Sequence, residues 1–217
     1  MEIKDKDVMQ MWKKSIKHVL ENGREYVDND KRICKEVFNL MLVVENVEKE
    51  KIEMPMNLIY DFEKWIYPSK EELINLIFKK SQAPVYEYTH GGRIFNFGNV
   101  KNQVDEFIIP VLKKDNDSRR ALVIIYDPLI DSIFGNINTP SLISLHFRII
   151  EDKLNITGLI RSNDLLFGLP SNLFQIYLIQ EYVAKQFMLK LGSMTIISHS
   201  AHFFIESENP LLDKLKE

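Results

Sequence analysis

Between Leu173 and Phe187 the chain offers almost no polar face. Leu173, Phe174, Ile176, Leu178, Ile179, Val183 and Phe187 recur at spacings that surround a helix nearly completely. Such a helix cannot lie on a surface, so the pattern predicts a central helix buried by the rest of the fold. Its flanks are apolar too. Leu154 to Ile160 before it and Met194 to Ile205 after it read as strands, and Gly192 stands where the helix is expected to end. At 217 residues the chain is long enough to close one domain, residues 1–217, around that core.

The polar residues that interrupt this core are concentrated. Arg161-Ser162-Asn163-Asp164 and Gly168-Leu169-Pro170-Ser171-Asn172 fall at the expected strand-to-helix junction. Arg161 offers a planar fork of donors that suits a phosphate, and Ser162 can donate to the same oxygens. The Asn172 amide can donate and accept at once, which suits the edge of a pyrimidine ring. The group reads as a small-anion or nucleotide site. The competing reading is a turn whose Asp and Asn only cap the next helix.

Elsewhere the pattern is ordinary. Val8, Met11, Trp12, Ile16, Val19 and Leu20 share one helix face with Gly23 just beyond, so Trp12 reads as a core anchor. A polar run, Arg24 to Lys31, leads to a buried strand over 36–45. Residues 46–57, charged and interrupted by Pro55, read as a loop. Ser69 to Glu72 match a capping box ahead of a helix face of Leu73, Ile74, Leu76 and Ile77. A helix over 100–114 is expected to kink or split at Pro110. Ala121 to Tyr126, apolar on both faces, reads as a central strand, and Ser141 to Ile160 as a hairpin that delivers Arg161.

A net charge of −3 argues against a general nucleic-acid or membrane partner, so phosphate binding would depend on local arginines. The single cysteine, Cys34, excludes an intramolecular disulfide, and no metal site is expected. The first residues, Met-Glu-Ile-Lys-Asp-Lys-Asp, lack the apolar core of a signal peptide, and no apolar run reaches membrane-span length. Together these predict a soluble, cytoplasmic protein.

The ordered set Tyr88…Gly92-Arg93, Ser118-Arg119-Arg120, Arg161-Ser162-Asn163-Asp164, Gly168 to Asn172, Gly192 and Ile197 to His202 resembles the nucleotide-binding signature of thymidylate synthases. The Arg-Ser-Asn-Asp form is similar to the short archaeal-type branch. The resemblance covers roughly residues 85–205. It implies an α+β fold with a large twisted sheet packed by helices, dimerising through that sheet. It also implies a pyrimidine nucleoside monophosphate as substrate and a reduced folate or related pterin as one-carbon donor. On this resemblance Arg161 and Ser162 would hold phosphate, Asn172 the base and His202 a sugar hydroxyl. Asp164 would belong to the catalytic set. Arg119 and Arg120 would cross a dimer interface to the neighbour's phosphate. An N-terminal-loop arginine would join them; Arg32 is the candidate, with Arg24 or Lys31 as alternatives and a solvated loop charge as the competing reading. The family's flanking glutamate and tryptophan have Glu63, Trp65, Glu71 and Glu72 as candidates, none fixed by a local motif.

Two departures stand out. The tyrosine two residues after the sugar histidine is Phe204 here, and Pro140-Ser141 occupies the place of the family's proline-cysteine. The family reaction begins when that cysteine thiolate adds to C6 of the pyrimidine. A thiol ionises near pH 8.5, so some thiolate exists at neutrality, whereas a serine hydroxyl needs an adjacent base. His146, five residues on, falls on the opposite strand face from Ser141 by simple alternation. His202 and His90 are the other candidate bases, although the spacing does not bring either to Ser141, and His90 reads more readily as a loop histidine than as an acid or base. Three functions follow: a one-carbon transferase with an altered nucleophile, a reused fold doing other nucleotide chemistry such as hydrolysis, or a non-catalytic nucleotide-binding dimer.

Overall fold

The structure, a computed structural model, describes residues 1–61, 68–78, 88–205 and 209–216. In chain order the elements are β1 (Glu2–Asp5), α1 (Val8–Asn22), β2 (Arg24–Val27), β3 (Ile33–Val44), α2 (Lys49–Tyr60), α3 (Lys70–Phe78) and α4 (His90–Phe95). A π-helical turn (Val104–Ile108) then runs into α5 (Ile109–Lys114), followed by β4 (Leu122–Ile124), α6 (Pro128–Asp131), β5 (Leu142–Ile150), β6 (Lys153–Asp164), α7 (Gly168–Lys185), β7 (Lys190–Phe204) and α8 (Pro210–Lys216). Helices packed on one mixed sheet make the fold α+β, as expected.

The sheet has the order β1-β3-β7-β6-β5-β4, with β2 paired to β3. The β6 and β7 strands run parallel, and α7 is the crossover between them. This places the apolar helix where its composition requires. Leu173, Ile176, Ile179 and Val183 are fully buried. The one fully buried polar side chain on α7, Gln180, donates to the carbonyls of Leu154 and Ser193, so it joins the two strands that α7 connects.

The helix boundaries differ from expectation. The helix begins at Gly168 rather than after Asn172, so Asn172 lies inside its second turn, and it ends at Lys185 rather than at Gly192. Gly192 lies within β7, where a Cβ would come 2.4 Å from the Asn155 amide oxygen. That oxygen accepts from both the Ser193 backbone N–H and the Ser193 hydroxyl, so it has no room to withdraw.

Three other expectations are corrected. Residues 49–60 form α2 despite Pro55, because Ile52, Pro55, Met56 and Ile59 fall on one buried face. The polar run 24–27 is a strand, held as a hairpin against β3. The apolar run 121–126 gives only the three-residue β4, and it sits at the sheet edge rather than the centre. Its open side is closed by one side chain: Gln103 donates to the Ile124 carbonyl at 2.6 Å and accepts from the Ile124 N–H at 3.0 Å. Leu122 and Ile124 stay partly exposed.

Other expectations hold. Trp12 is fully buried, and its indole N–H donates to the Leu165 carbonyl just after β6. Ser69 and Glu72 exchange both capping-box bonds, at 2.7 and 3.2 Å. The helix over 104–114 changes character before Pro110, whose missing N–H is harmless at the start of α5. The β5–β6 hairpin turns on Glu151 and Asp152, both with positive φ (50° and 54°). Among the described residues no helix is long and apolar enough to cross a membrane.

Candidate active site

A cavity of about 300 Å³ opens where β6 and β7 end and α7 begins. Its walls are Ser162 and Asp164 from β6, His202 from β7, Gly168, Ser171 and Asn172 from α7, Ser141 from the loop before β5, and Tyr88 and His90 at the start of α4. Five of the residues singled out in the sequence therefore meet: Ser141, Ser162, Asp164, Asn172 and His202.

The register of the sheet builds this wall. Asp164 pairs with His202 across β6 and β7, so the end of the parallel pair aligns the two signature segments. Beneath them the fully buried Asn163 donates to the Ser198 hydroxyl and accepts from the Asn172 amide at 3.4 Å, tying strand to helix. The Asp164 carboxylate accepts the N–H groups of Leu166 and Phe167 at 2.9 and 3.3 Å. It thus shapes the turn, as the capping reading required, and also faces the cavity. Burial pushes the Asp164 carboxyl above its ordinary range, and those two N–H groups and the His202 and Arg32 charges only partly offset this.

Arg161 does something other than open its fork into the cavity. Its Nε donates to the Pro140 carbonyl at 3.0 Å, and Nη2 donates to the carbonyl and hydroxyl of Thr139 at 2.8 and 2.6 Å. Its backbone N–H donates to the Ser141 carbonyl at 2.8 Å. The arginine clamps the loop that presents Ser141. A bulge between Leu142 and Ser144 interrupts the alternation of β5, so counting parity from Ser141 to His146 does not apply. His146 instead lies 3.3 Å from the Arg119 carbonyl and does not line the cavity.

His202 is held from behind by a chain that the sequence did not suggest. The Ser200 hydroxyl donates to the Glu36 carboxylate, a partner that can only accept, and its oxygen lies 3.4 Å from His202 Nδ1. Glu36, nearly buried on β3, also meets Arg24 at 3.3 Å. With the hydroxyl proton committed to Glu36, Ser200 accepts from Nδ1–H, which leaves the His202 Nε2 lone pair for a ligand hydroxyl. The pairing of β3 with β7 sets Glu36 opposite His202, a proximity that no sequence signal announces.

Phe204 packs edge-on to His202 at 5.6 Å, and the Arg32 guanidinium lies 4.0 Å over the Phe204 ring. Arg32 is also ion-paired to Asp28 and Asp30, at 2.7 and 3.0 Å. Its charge is therefore engaged by its own hairpin, and Arg32 is not part of the cavity wall.

Tyr88 and His90 complete the cavity; Tyr88 is visible in sequence only as part of the resemblance, and His90 only as an acid or base outweighed by a loop histidine. Burial raises the Tyr88 phenol, against a hydrogen bond from the Ser141 backbone. Their rings are 6.2 Å apart. The segment is fixed by a buried ion pair, Arg93 to Asp131 at 2.8 Å, and by Gly91, where a Cβ would come 2.1 Å from the Ile77 carbonyl of α3.

Arg119 and Arg120 lie elsewhere. With Arg148, Asp115, Asp117 and Ser118 they line a second concavity of about 610 Å³. Arg119 sits beside His146, five residues along the chain from Ser141, or roughly 16 Å of strand. Arg148 Nε is buried there without a hydrogen-bond partner among the described residues. Of the family's flanking pair, Glu71 and Glu72 lie in the first turn of α3, where Glu72 caps the helix; Glu63 and Trp65 fall outside the described residues. Among the described residues no group of three or more His, Cys, Asp or Glu could hold a metal ion.

The chain resembles known proteins along most of its length. The thymidylate synthase family model matches residues 61–217. A Methanosarcina mazei protein with a provisional thymidylate synthase name is 29% identical over 202 residues, covering 93% of this chain and 88% of its own. One from Methanothermobacter marburgensis, named likewise, is 27% identical over 217 residues, covering 94% and 92%. The deoxyuridylate hydroxymethyltransferase of Delftia phage PhiW-14 is 31% identical over 138 residues, covering 58% of this chain and 37% of its own.

Proposed function

The chain belongs to the thymidylate synthase family, and from that premise we propose that it transfers a one-carbon unit to C5 of a pyrimidine nucleoside monophosphate. The observation that carries the reading is the cavity itself. Residues from 88 to 202 converge on a space the size of one nucleotide, and they match what a nucleotide presents. Asn172 offers both halves of an amide to the base edge. His202 offers Nε2 to a sugar hydroxyl, and Ser162 offers a hydroxyl to a phosphate oxygen. Phe204 supplies no second sugar contact, so discrimination at the sugar rests on His202.

The phosphate needs more positive charge than this wall supplies. Arg161 spends most of its fork on the Ser141 loop, although its charge is felt by the neighbouring Tyr88. We assign the remaining grip to Arg119 and Arg120 of a second copy, because on their own chain they face a different concavity. The working form is then a homodimer with composite sites.

Ser141 stands where the family places its nucleophile. In the addition step its oxygen bonds C6, the C5–C6 π pair moves toward C5 and the C4 oxygen, and the hydroxyl proton leaves. The carbanion character this creates at C5 is what a one-carbon unit requires. Asp164 would hold the donor, since a buried carboxyl on the cavity wall can accept from the amino-pyrimidine edge of a pterin; a reduced folate, when bound, supplies the one-carbon unit. The cavity is too small for nucleotide and pterin together, so the donor would lie across its mouth.

Calorimetry with uridine and cytidine monophosphates, in ribo and deoxy forms, tests the reading, and one of the four is expected to bind. No heat from any of them at millimolar concentration would end it. The serine favours a second reading, a nucleotide-binding dimer without transfer chemistry. Release of hydrogen from C5 of the bound nucleotide separates the two.

A further inference from the structure

A serine nucleophile poses a problem that a thiol does not, because its proton must go to a base. The cavity holds three ionisable candidates besides Tyr88: Asp164, His202 and His90. Asp164 already accepts two backbone N–H groups, and its burial favours the protonated form. His202 is tied through Ser200 to Glu36 and is placed for the sugar. His90 has no such commitment.

Its tautomer follows from its neighbours. Gln175 Nε2 lies 2.9 Å from the Ser171 hydroxyl and 3.4 Å from the Ser171 carbonyl. A carbonyl can only accept, so that end of the amide is the NH2 group and the other end is the oxygen. Gln175 Oε1 lies 3.0 Å from His90 Nδ1. An oxygen without hydrogen forces Nδ1 to donate, and a neutral imidazole carries one N–H, so the Nε2 lone pair is free. Tyr88 couples this ring to the nucleophile's loop, since its hydroxyl bonds the Ser141 backbone and its ring neighbours His90.

We propose that His90 is the catalytic base that takes the hydroxyl proton of Ser141, a role that rests on the nucleotide reading above. As Oγ bonds C6, the proton passes to His90 Nε2 and the π pair moves onto C5 and the C4 oxygen. The imidazolium then protonates C5; loss of the original C5 hydrogen and reversal of the addition return free nucleotide with an exchanged hydrogen. No co-reactant beyond water is consumed. Burial lowers the affinity of His90 for a proton, while its bond to Gln175 works the other way, so the ring stays neutral at pH 7. Among the described residues, the ionisable groups facing the cavity with it are Tyr88 on its own segment, Asp164 on β6 and His202 on β7. The α7 residues there are uncharged, and α3, packed behind Gly91, meets it with backbone carbonyls.

The test is release of tritium from 5-labelled uridine and deoxyuridine monophosphates by the full chain, without folate, across pH 4–9. Calorimetry on each variant runs alongside. The wild type is expected to release label, with an acid limb below the ordinary imidazole value of about 6.5. His90→Gln should lower release by about 100-fold or more with nucleotide affinity little changed. Adding Ser141→Cys to His90→Gln should restore release, because a thiol supplies its own anion. Gln175→Glu keeps His90 and places a carboxylate on Nδ1–H; it should move the acid limb to higher pH. Full release by His90→Gln, or an acid limb unmoved by Gln175→Glu, would overturn the proposal. So would a wild type that binds nucleotide and releases nothing, and in that case the binding reading survives. A wild type that binds none of the four uridine and cytidine monophosphates removes both.

Discussion

Arg161 commits its Nε and Nη2 donors to the loop that presents Ser141. Its identity and position pointed to phosphate, yet most of its donors hold Thr139 and Pro140. Both tasks require a planar fork, and only the folded loop decides between them. Arg161→Ala should therefore destabilise the protein by about 1–3 kcal/mol, as for loss of charged hydrogen bonds, besides weakening nucleotide binding. Urea denaturation of the free protein checks this; a variant of unchanged stability would mean the clamp contributes nothing. Asp164 gives a prediction of a different kind. Its folded-state pKa is raised by burial, so its stabilising contribution is present below the unfolded value near 3.9 and is lost as pH rises through the folded value. Asparagine retains the oxygen that caps Leu166 and Phe167 and cannot ionise. Asp164→Asn should thus match the wild type near pH 4 and become the more stable of the two as pH rises. Denaturation at a series of pH values reads the difference, and a gap that does not vary with pH would refute it.

Among the elements, the legible ones were those whose pattern has a single solution. The amphipathic α1, the capping box before α3 and the β5–β6 hairpin form where their residues indicate, and α7 is the buried helix its composition requires, with both ends earlier in the chain than expected. The failures have local causes. Pro55 disguised α2, although Ile52, Met56 and Ile59 already carried the helical spacing. Gly192 resembled a helix stop, whereas its lack of a side chain serves the close approach of Asn155. The β4 run is apolar on both faces yet leaves Leu122 and Ile124 partly exposed at the sheet edge, and length and hydropathy cannot distinguish such a run from a central strand. Tyr88 and His90 went unassigned because their partners, Ser141 and Gln175, are distant in the chain. Gly91 is the element-scale test of how they are placed. Its Cβ would collide with the backbone carbonyls of Leu76 and Ile77, which cannot move without separating α3 from α4. Gly91→Ala should cost about 1–3 kcal/mol by overpacking, and it should weaken nucleotide binding through the displaced α4 segment. Thermal denaturation and calorimetry report the two effects. A substitution without consequence would show that α3 and α4 are not in contact at that point.

For the molecule as a whole, the distribution of arginines argues for more than one copy. One chain brings Ser141, Asn172 and His202 to one cavity but keeps Arg119, Arg120 and Arg148 at another. Arg119 and Arg120 at that concavity could receive a phosphate held by a second copy, and the partly exposed side chains of Leu122 and Ile124 lie on the neighbouring β4 edge, where such a copy would cover them. The composite site makes a quantitative prediction. Arg120→Ala and Ser141→Ala subunits should each be inactive as homodimers, the first lacking the phosphate grip and the second the nucleophile. Mixed at equal concentration and allowed to exchange, half of the molecules become heterodimers by random pairing. In each heterodimer one site collects both lesions and the other collects neither. Release of C5 hydrogen should therefore return to about one quarter of the wild-type rate, because half the dimers each carry one intact site of two. If Arg120 and Ser141 served a site within one chain, mixing would restore nothing. Light scattering on the same samples establishes whether dimers are present, so that an absent recovery in a monomeric protein and an absent recovery in a dimer are told apart.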